Sequence, residues 1–123
     1  MLLSYAINRR GAVMAVRKIA GKELPVVTAV KDRKVLVDFS ATWCGPCRML
    51  HPVLEQISGE IAGWDFYEID VDEAGAEANS LGIRSVPTMV VYSEGREVDR
   101  LIGFRDKAQL KSHLEGLAKA PGK

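Results

Sequence analysis

Two cysteines, Cys44 and Cys47, stand where the hydrophobic pattern of this 123-residue chain changes period, and that junction constrains its fold more than any other feature. Before it, Val35-Leu36-Val37-Asp38-Phe39 forms a short, nearly continuous apolar run, the pattern of a strand buried on both faces. After it, apolar or sulfur-bearing residues recur at Cys47, Leu50, Leu54, Ile57 and Ile61, the spacing of one helix face. A buried strand thus hands over to a helix across a very short loop. Pro52 falls inside the helical pattern and is expected to kink it, because it removes one backbone hydrogen bond.

The same alternation extends to both sides. Residues 13–19 read as a weak first strand, and residues 23–31 as a short helix with Pro25 in its first turn, where a missing N–H is tolerated. Residues 65–69 predict a strand and residues 74–81 an Ala-rich helix stopped by Gly82. Residues 88–93 and 97–102 flank Glu94-Gly95 as an antiparallel hairpin. A last helix starts near Asp106, with Gln109 three residues on, and buries Leu110, Leu114 and Leu117. Strand–helix–strand units followed by a hairpin and a covering helix define an α/β sandwich, a central mixed β-sheet flanked by helices on both faces.

Such a length supports one domain, placed at residues 14–119, since two cores would each be too small. Residues 1–13 are expected to be a loosely ordered extension, and residues 120–123 a frayed tail. Seventeen Lys and Arg against sixteen Asp and Glu leave a net charge of +1, which gives no footing for nucleic acid or for an anionic membrane surface. No apolar run approaches the ~20 residues that span a bilayer. The first ten residues place apolar side chains before Arg9-Arg10, the reverse of a secretory signal, and the stretch before Arg17-Lys18 is shorter than an apolar signal core. The expected location is therefore cytoplasmic.

The chemistry of the cysteine pair follows from its setting. Cysteines three apart on a helical turn fall within the ~4.4–6.8 Å Cα separation that a disulfide needs. The helix N-terminus offers unpaired N–H groups and a positive dipole end, which stabilise a thiolate at Cys44. Pro46 stiffens the loop, and Gly45 leaves room for a partner backbone near the sulfur. A thiolate so placed can attack a disulfide, and the second thiol can then attack the mixed disulfide. Two blander readings compete. A static disulfide closing so short a loop would stabilise little, because the effect grows with loop length. A closed zinc site wants four ligands, and beyond the cysteines the chain offers only His51 and His113. The ligand count therefore favours redox over metal, and the two histidines read as ordinary helix residues.

The run Val37-Asp38-Phe39-Ser40-Ala41-Thr42-Trp43-Cys44-Gly45-Pro46-Cys47 resembles the active-site segment of the thioredoxin family. Gly82-Ile83-Arg84-Ser85-Val86-Pro87-Thr88 is similar to that family's cis-proline loop, and Gly103 matches a glycine beside its substrate groove. The likeness runs from about residue 16 to residue 119. It implies a thioredoxin-like sandwich, with Cys44 as exposed nucleophile and Cys47 as shielded resolving thiol.

Other roles follow from the resemblance and carry plainer alternatives. Asp38 would accept the Cys47 proton; a carboxylate among core residues should have a raised pKa, unless it turns to solvent at a strand end. A cis Val86–Pro87 bond would shape a substrate-binding groove of Trp43, Gly45, Pro46, Val86, Pro87 and Gly103, although Pro87 could equally open a strand and Trp43 serve as half-exposed packing. Two positions depart from the family. Ser40 replaces a second tryptophan found in many members, and Glu68 replaces a lysine that bacterial members often place near the buried aspartate.

The function so implied is reduction of protein disulfides in cell redox homeostasis. Partners would be disulfide-containing proteins and a flavoprotein thioredoxin reductase as electron donor, with no cofactor and a single copy as the working unit. Gly-Pro between the cysteines, with no His there, suggests a reductant. The competing functions are a disulfide oxidase or isomerase outside the cytoplasm, and a partner-binding subunit that uses the same groove without turnover.

Overall fold

Strand β4 (Lys34–Ser40) is the central strand of a five-stranded mixed sheet, paired on both sides along almost its whole length. A computed structural model describes residues 6–7 and 13–119. Beside β4 the sheet runs β3 (Val16–Ile19), β5 (Trp64–Asp70), β4, β6 (Thr88–Ser93) and β7 (Arg96–Ile102), in that order. The β3–β5 and β5–β4 pairs are parallel, whereas β4–β6 and β6–β7 are antiparallel. Parallel neighbours require crossovers, and helices supply them, which covers both faces of the sheet.

The two faces follow from the period of two along the strands. Val35, Val37 and Phe39 point to one side and pack with Leu24 of α1 (Leu24–Thr28), with Ala78 of α3 (Gly75–Ser80), and with Ile69, Val90 and Tyr92. Leu36 points to the other side and packs with Leu50, Leu54 and Ile57 of α2 (Gly45–Ser58) and with Leu110 and Leu114 of α4 (Lys107–Lys119). Each of those fully buried leucines contributes ~1.5–3 kcal/mol relative to exposure. Asp38 belongs by alternation to this second side, the side of α2.

Several predicted boundaries move for identifiable reasons. The strand predicted over 13–19 breaks at Ala15, whose N–H donates to Ser58 Oγ (2.8 Å) of α2. Its first part, β2 (Val13–Met14), pairs antiparallel with β1 (Ala6–Ile7). Apart from that pair, the predicted extension 1–13 and the tail 120–123 lie outside the described residues. The helix predicted over 23–31 is shorter: Thr28 turns its hydroxyl back to the Leu24 carbonyl (2.8 Å), and Asp32 adopts φ 69°, which reverses the chain. Helix α2 runs through Pro52 and ends at Ser58, so Ile61 lies beyond it while still packing on the same core. Asp106 caps α4 as expected, its Oδ1 accepting the Gln109 N–H at 2.9 Å.

Candidate active site

Cys44 occupies the N-cap of α2, immediately beyond the end of β4 and a short turn. Its Sγ accepts the Cys47 N–H at 3.2 Å, so one of the free donors at the helix start points at this sulfur. The two cysteines are disulfide-bonded with Cα atoms 5.3 Å apart, as one helical turn requires. Ala41, Val71 and Val86 pack around the pair. In this oxidised form Cys44 is 5% exposed and Cys47 1%. The expectation of an exposed Cys44 is thus corrected: its sulfur is covered by the bond to Cys47 and by the Val86 carbonyl oxygen 3.8 Å away.

The residues expected to form a groove are brought together around this sulfur. The Val86–Pro87 bond is cis, and the Pro87 carbonyl accepts the Gly103 N–H at 2.8 Å, which ties the proline loop to the end of β7. Gly103 has φ +90°, a conformation that disfavours any residue with a Cβ. Around Gly45 nothing lies within 4 Å of where a Cβ would stand, so the chain itself does not require glycine there. Trp43 is 66% exposed rather than half-exposed, its indole N–H held by Asp72 Oδ2 at 2.8 Å. Ile102 and Phe104, either side of Gly103, are also exposed and apolar. Trp43, Ile102 and Phe104 are thus three of the large apolar side chains that the protein leaves exposed.

Asp38 is fully buried, and neither carboxylate oxygen has a hydrogen-bond partner among the described residues. Burial pushes its carboxyl from the ordinary 3.8 up to about 8, and the negative charge of Glu68 on the neighbouring strand adds to the rise. The two residues are opposite each other in the β4–β5 register. A carboxyl raised this far, on the α2 side of the sheet, can change its protonation state in the neutral range.

One residue the sequence reading set aside belongs to this neighbourhood. His51, one turn after Cys47 on α2, has Nδ1 3.6 Å from Glu68 Oε2 and Nε2 3.2 Å from Glu55 Oε1. With Ser40, Cys47 and Glu68 it lines a cleft of about 500 Å³ behind the disulfide. The signals were present separately, in the i,i+4 spacing from Cys47 and in the departures at Ser40 and Glu68, but the strand register joins them. His113 lies elsewhere, paired with Asp99 across α4 and β7. Among the described residues no group of three or more His, Cys, Asp or Glu is placed to hold a metal.

A reactive cysteine pair at a helix N-terminus, after the central strand of a mixed sheet and opposite a cis-proline loop, defines a thiol–disulfide oxidoreductase. The comparisons with known proteins agree. The Thioredoxin family model matches residues 16–116, and the chain belongs to the thioredoxin family. It is 38% identical to a thioredoxin of Staphylococcus epidermidis over 83% of this chain and 97% of that one. It is 39% identical to the chloroplastic thioredoxin M4 of Arabidopsis thaliana over 89% of its own length and 58% of the relative's. Among solved structures, a thioredoxin variant from Halobacterium salinarum superposes with a TM-score of 0.77 at 38% identity, covering 86% of this chain and 93% of that one.

Proposed function

We propose that the protein works as a reductant of protein disulfides, with Cys44 as nucleophile, Cys47 as resolving thiol and Asp38 as proton acceptor. The observation that carries this reading is the asymmetry of the pair. Cys44 sits at the N-cap, where the Cys47 N–H and the helix dipole favour a thiolate, while Cys47 faces inward on the side of the sheet that carries Asp38.

The reaction then runs in two exchanges. The Cys44 thiolate attacks one sulfur of the partner disulfide; the other sulfur leaves as a thiolate and takes up a proton. Asp38, as carboxylate, next accepts the Cys47 thiol proton, and the Cys47 sulfur bonds to Cys44. The bond between Cys44 and the partner breaks, its electron pair leaves on the partner's second sulfur, and that sulfur is protonated. Two electrons have passed from the cysteine pair to the partner. Trp43, Gly45, Pro46, Val86, Pro87 and Gly103 form the surface against which an extended partner segment lies.

Recharging falls to an external dithiol donor, for which a flavoprotein reductase is the candidate, and the proposed place of work is the cytoplasm. Among the described residues no helix is long and apolar enough to cross a membrane. The test is a disulfide-reduction assay with a general protein substrate, with candidate reductases supplied in turn. Catalytic turnover with one of them supports the reading. Net oxidation of dithiol substrates, or full cellular function of a Cys44→Ser, Cys47→Ser variant, would point instead to an oxidase or to a binding subunit.

A further inference from the structure

The side of the site away from the partner surface holds a group of charges that disulfide exchange at Cys44 does not use. Glu68 faces Asp38 from the neighbouring strand, and its negative charge works against ionisation of the buried carboxyl. From β6 the register partner of Asp38 is Met89, which carries no charge. Whatever neutralises Glu68 therefore acts on Asp38. Lys18 of β3 and Arg48 of α2 line the same cleft, as does Asp70 at the end of β5. Both cations are engaged elsewhere: Lys18 pairs with Glu73 at 3.4 Å, and the Arg48 guanidinium donates to the Thr42 carbonyl at 3.0 Å. Among the described residues, the group within ion-pair distance of Glu68 is His51, whose other ring nitrogen faces Glu55 on its own helix.

We propose that His51, through its pairing with Glu68, sets how readily Asp38 takes the Cys47 proton, and so acts as a pH-dependent positioning residue for the resolving exchange. The proposal rests on the roles given above to Cys47 and Asp38. A protonated imidazole offsets the Glu68 charge and leaves the Asp38 carboxylate easier to form; a neutral one restores the full repulsion. The effect is therefore felt where the Asp38 carboxyl is still largely protonated, and it is lost at a pH where that carboxyl ionises without help. No electron passes through His51; the bonds made and broken at the sulfurs are those already described.

The experiment follows the decay of the mixed disulfide between Cys44 and a labelled peptide disulfide by rapid quench, between pH 5.5 and 9. Four variants are compared: His51→Gln, His51→Lys, Glu68→Gln and His51→Gln combined with Glu68→Gln. For a partly exposed ion pair, His51→Gln should slow resolution about two- to fivefold at pH 6 and leave it unchanged at pH 9. His51→Lys, whose charge persists, should match the parent at pH 6 and exceed it at pH 8. In the Glu68→Gln background, removal of His51 should have no effect at any pH. Equal rates for His51→Gln and the parent at pH 6, or the same loss with and without Glu68, would overturn the proposal. A merely structural histidine would lower rates at all pH values and would not be rescued by lysine. Asp38→Asn serves as the control: if it resolves as fast as the parent, the underlying role of Asp38 fails, whereas slow Asp38→Asn with an unmoved His51→Gln sinks the His51 proposal alone.

Discussion

Replacing Asp38 with Asn should stabilise the protein at neutral pH and slow it as a catalyst, and the size of the first effect can be worked from the site. An acid whose folded pKa lies above its unfolded value ionises more easily in the unfolded chain. The resulting destabilisation is absent below the unfolded pKa, grows as pH rises, and is constant above the folded pKa. For Asp38 these limits are the ordinary 3.8 and about 8. Between them each pH unit adds ~1.4 kcal/mol, so the parent carries a cost on the order of 4 kcal/mol at pH 7 relative to its protonated form. Asn does not titrate and occupies nearly the same volume. Any constant cost of its amide shifts the whole curve without changing its slope. The stability difference between Asp38→Asn and parent should therefore climb between pH 4 and pH 8 and flatten on either side. Denaturant melts of the oxidised proteins at half-unit intervals measure it directly. A difference that stays level across this window would mean that Asp38 is solvated or already paired, and the argument from burial would fail. Turnover of protein disulfides at pH 7 should fall in the same variant, because Cys47 loses its proton acceptor.

Cys47→Ser should accumulate mixed disulfides on Cys44 with protein substrates, seen as non-reducing gel adducts; their absence would reverse the assignment of the two sulfurs. Trp43→Ala removes an exposed ring with one surface hydrogen bond, so stability should change by about 0.5 kcal/mol or less while kcat/KM toward protein disulfides drops about tenfold. Unaltered kinetics would exclude Trp43 from the partner surface. Gly103→Ala meets Arg105 Nη1 at 3.8 Å, which is ordinary contact, so its cost isolates the backbone at φ +90° and should be ~1–2 kcal/mol in denaturant melts. An unchanged midpoint would mean that the loop relaxes freely.

The parts of the fold that could be read from the chain are those whose signal is local. Burial of β4 on both faces favours an apolar run that only Asp38 interrupts between Val35 and Phe39, and α2 shows its buried face as a 3–4 spacing from Cys47 to Ile57. The order of strands is not a local property. Nothing in residues 16–19 says that they pair with β5 at the sheet edge rather than with β4, because that choice depends on crossovers and total burial. Element ends were less legible because single side chains decide them, as Thr28 and Ser58 show. At the site, the cysteines, the buried aspartate and the proline loop were legible from motif and spacing. His51 was not, since its meaning comes from Glu68, which reaches it only through the pairing of two strands distant in sequence.

The ring closed by Cys44 and Cys47 spans four residues of a helix start that β4 and the sheet already hold in place. Making or breaking it removes little freedom from the unfolded chain, so the pair can change redox state with little change in the stability of the fold. With Cys44 as the proposed nucleophile, both redox states would be approached at the same sulfur, past exposed Trp43, Ile102 and Phe104. On the proposed mechanism a donor and an acceptor of electrons would therefore compete for a single docking berth. Electron flow would then be a relay of separate encounters, in which prompt release of each partner matters as much as its capture.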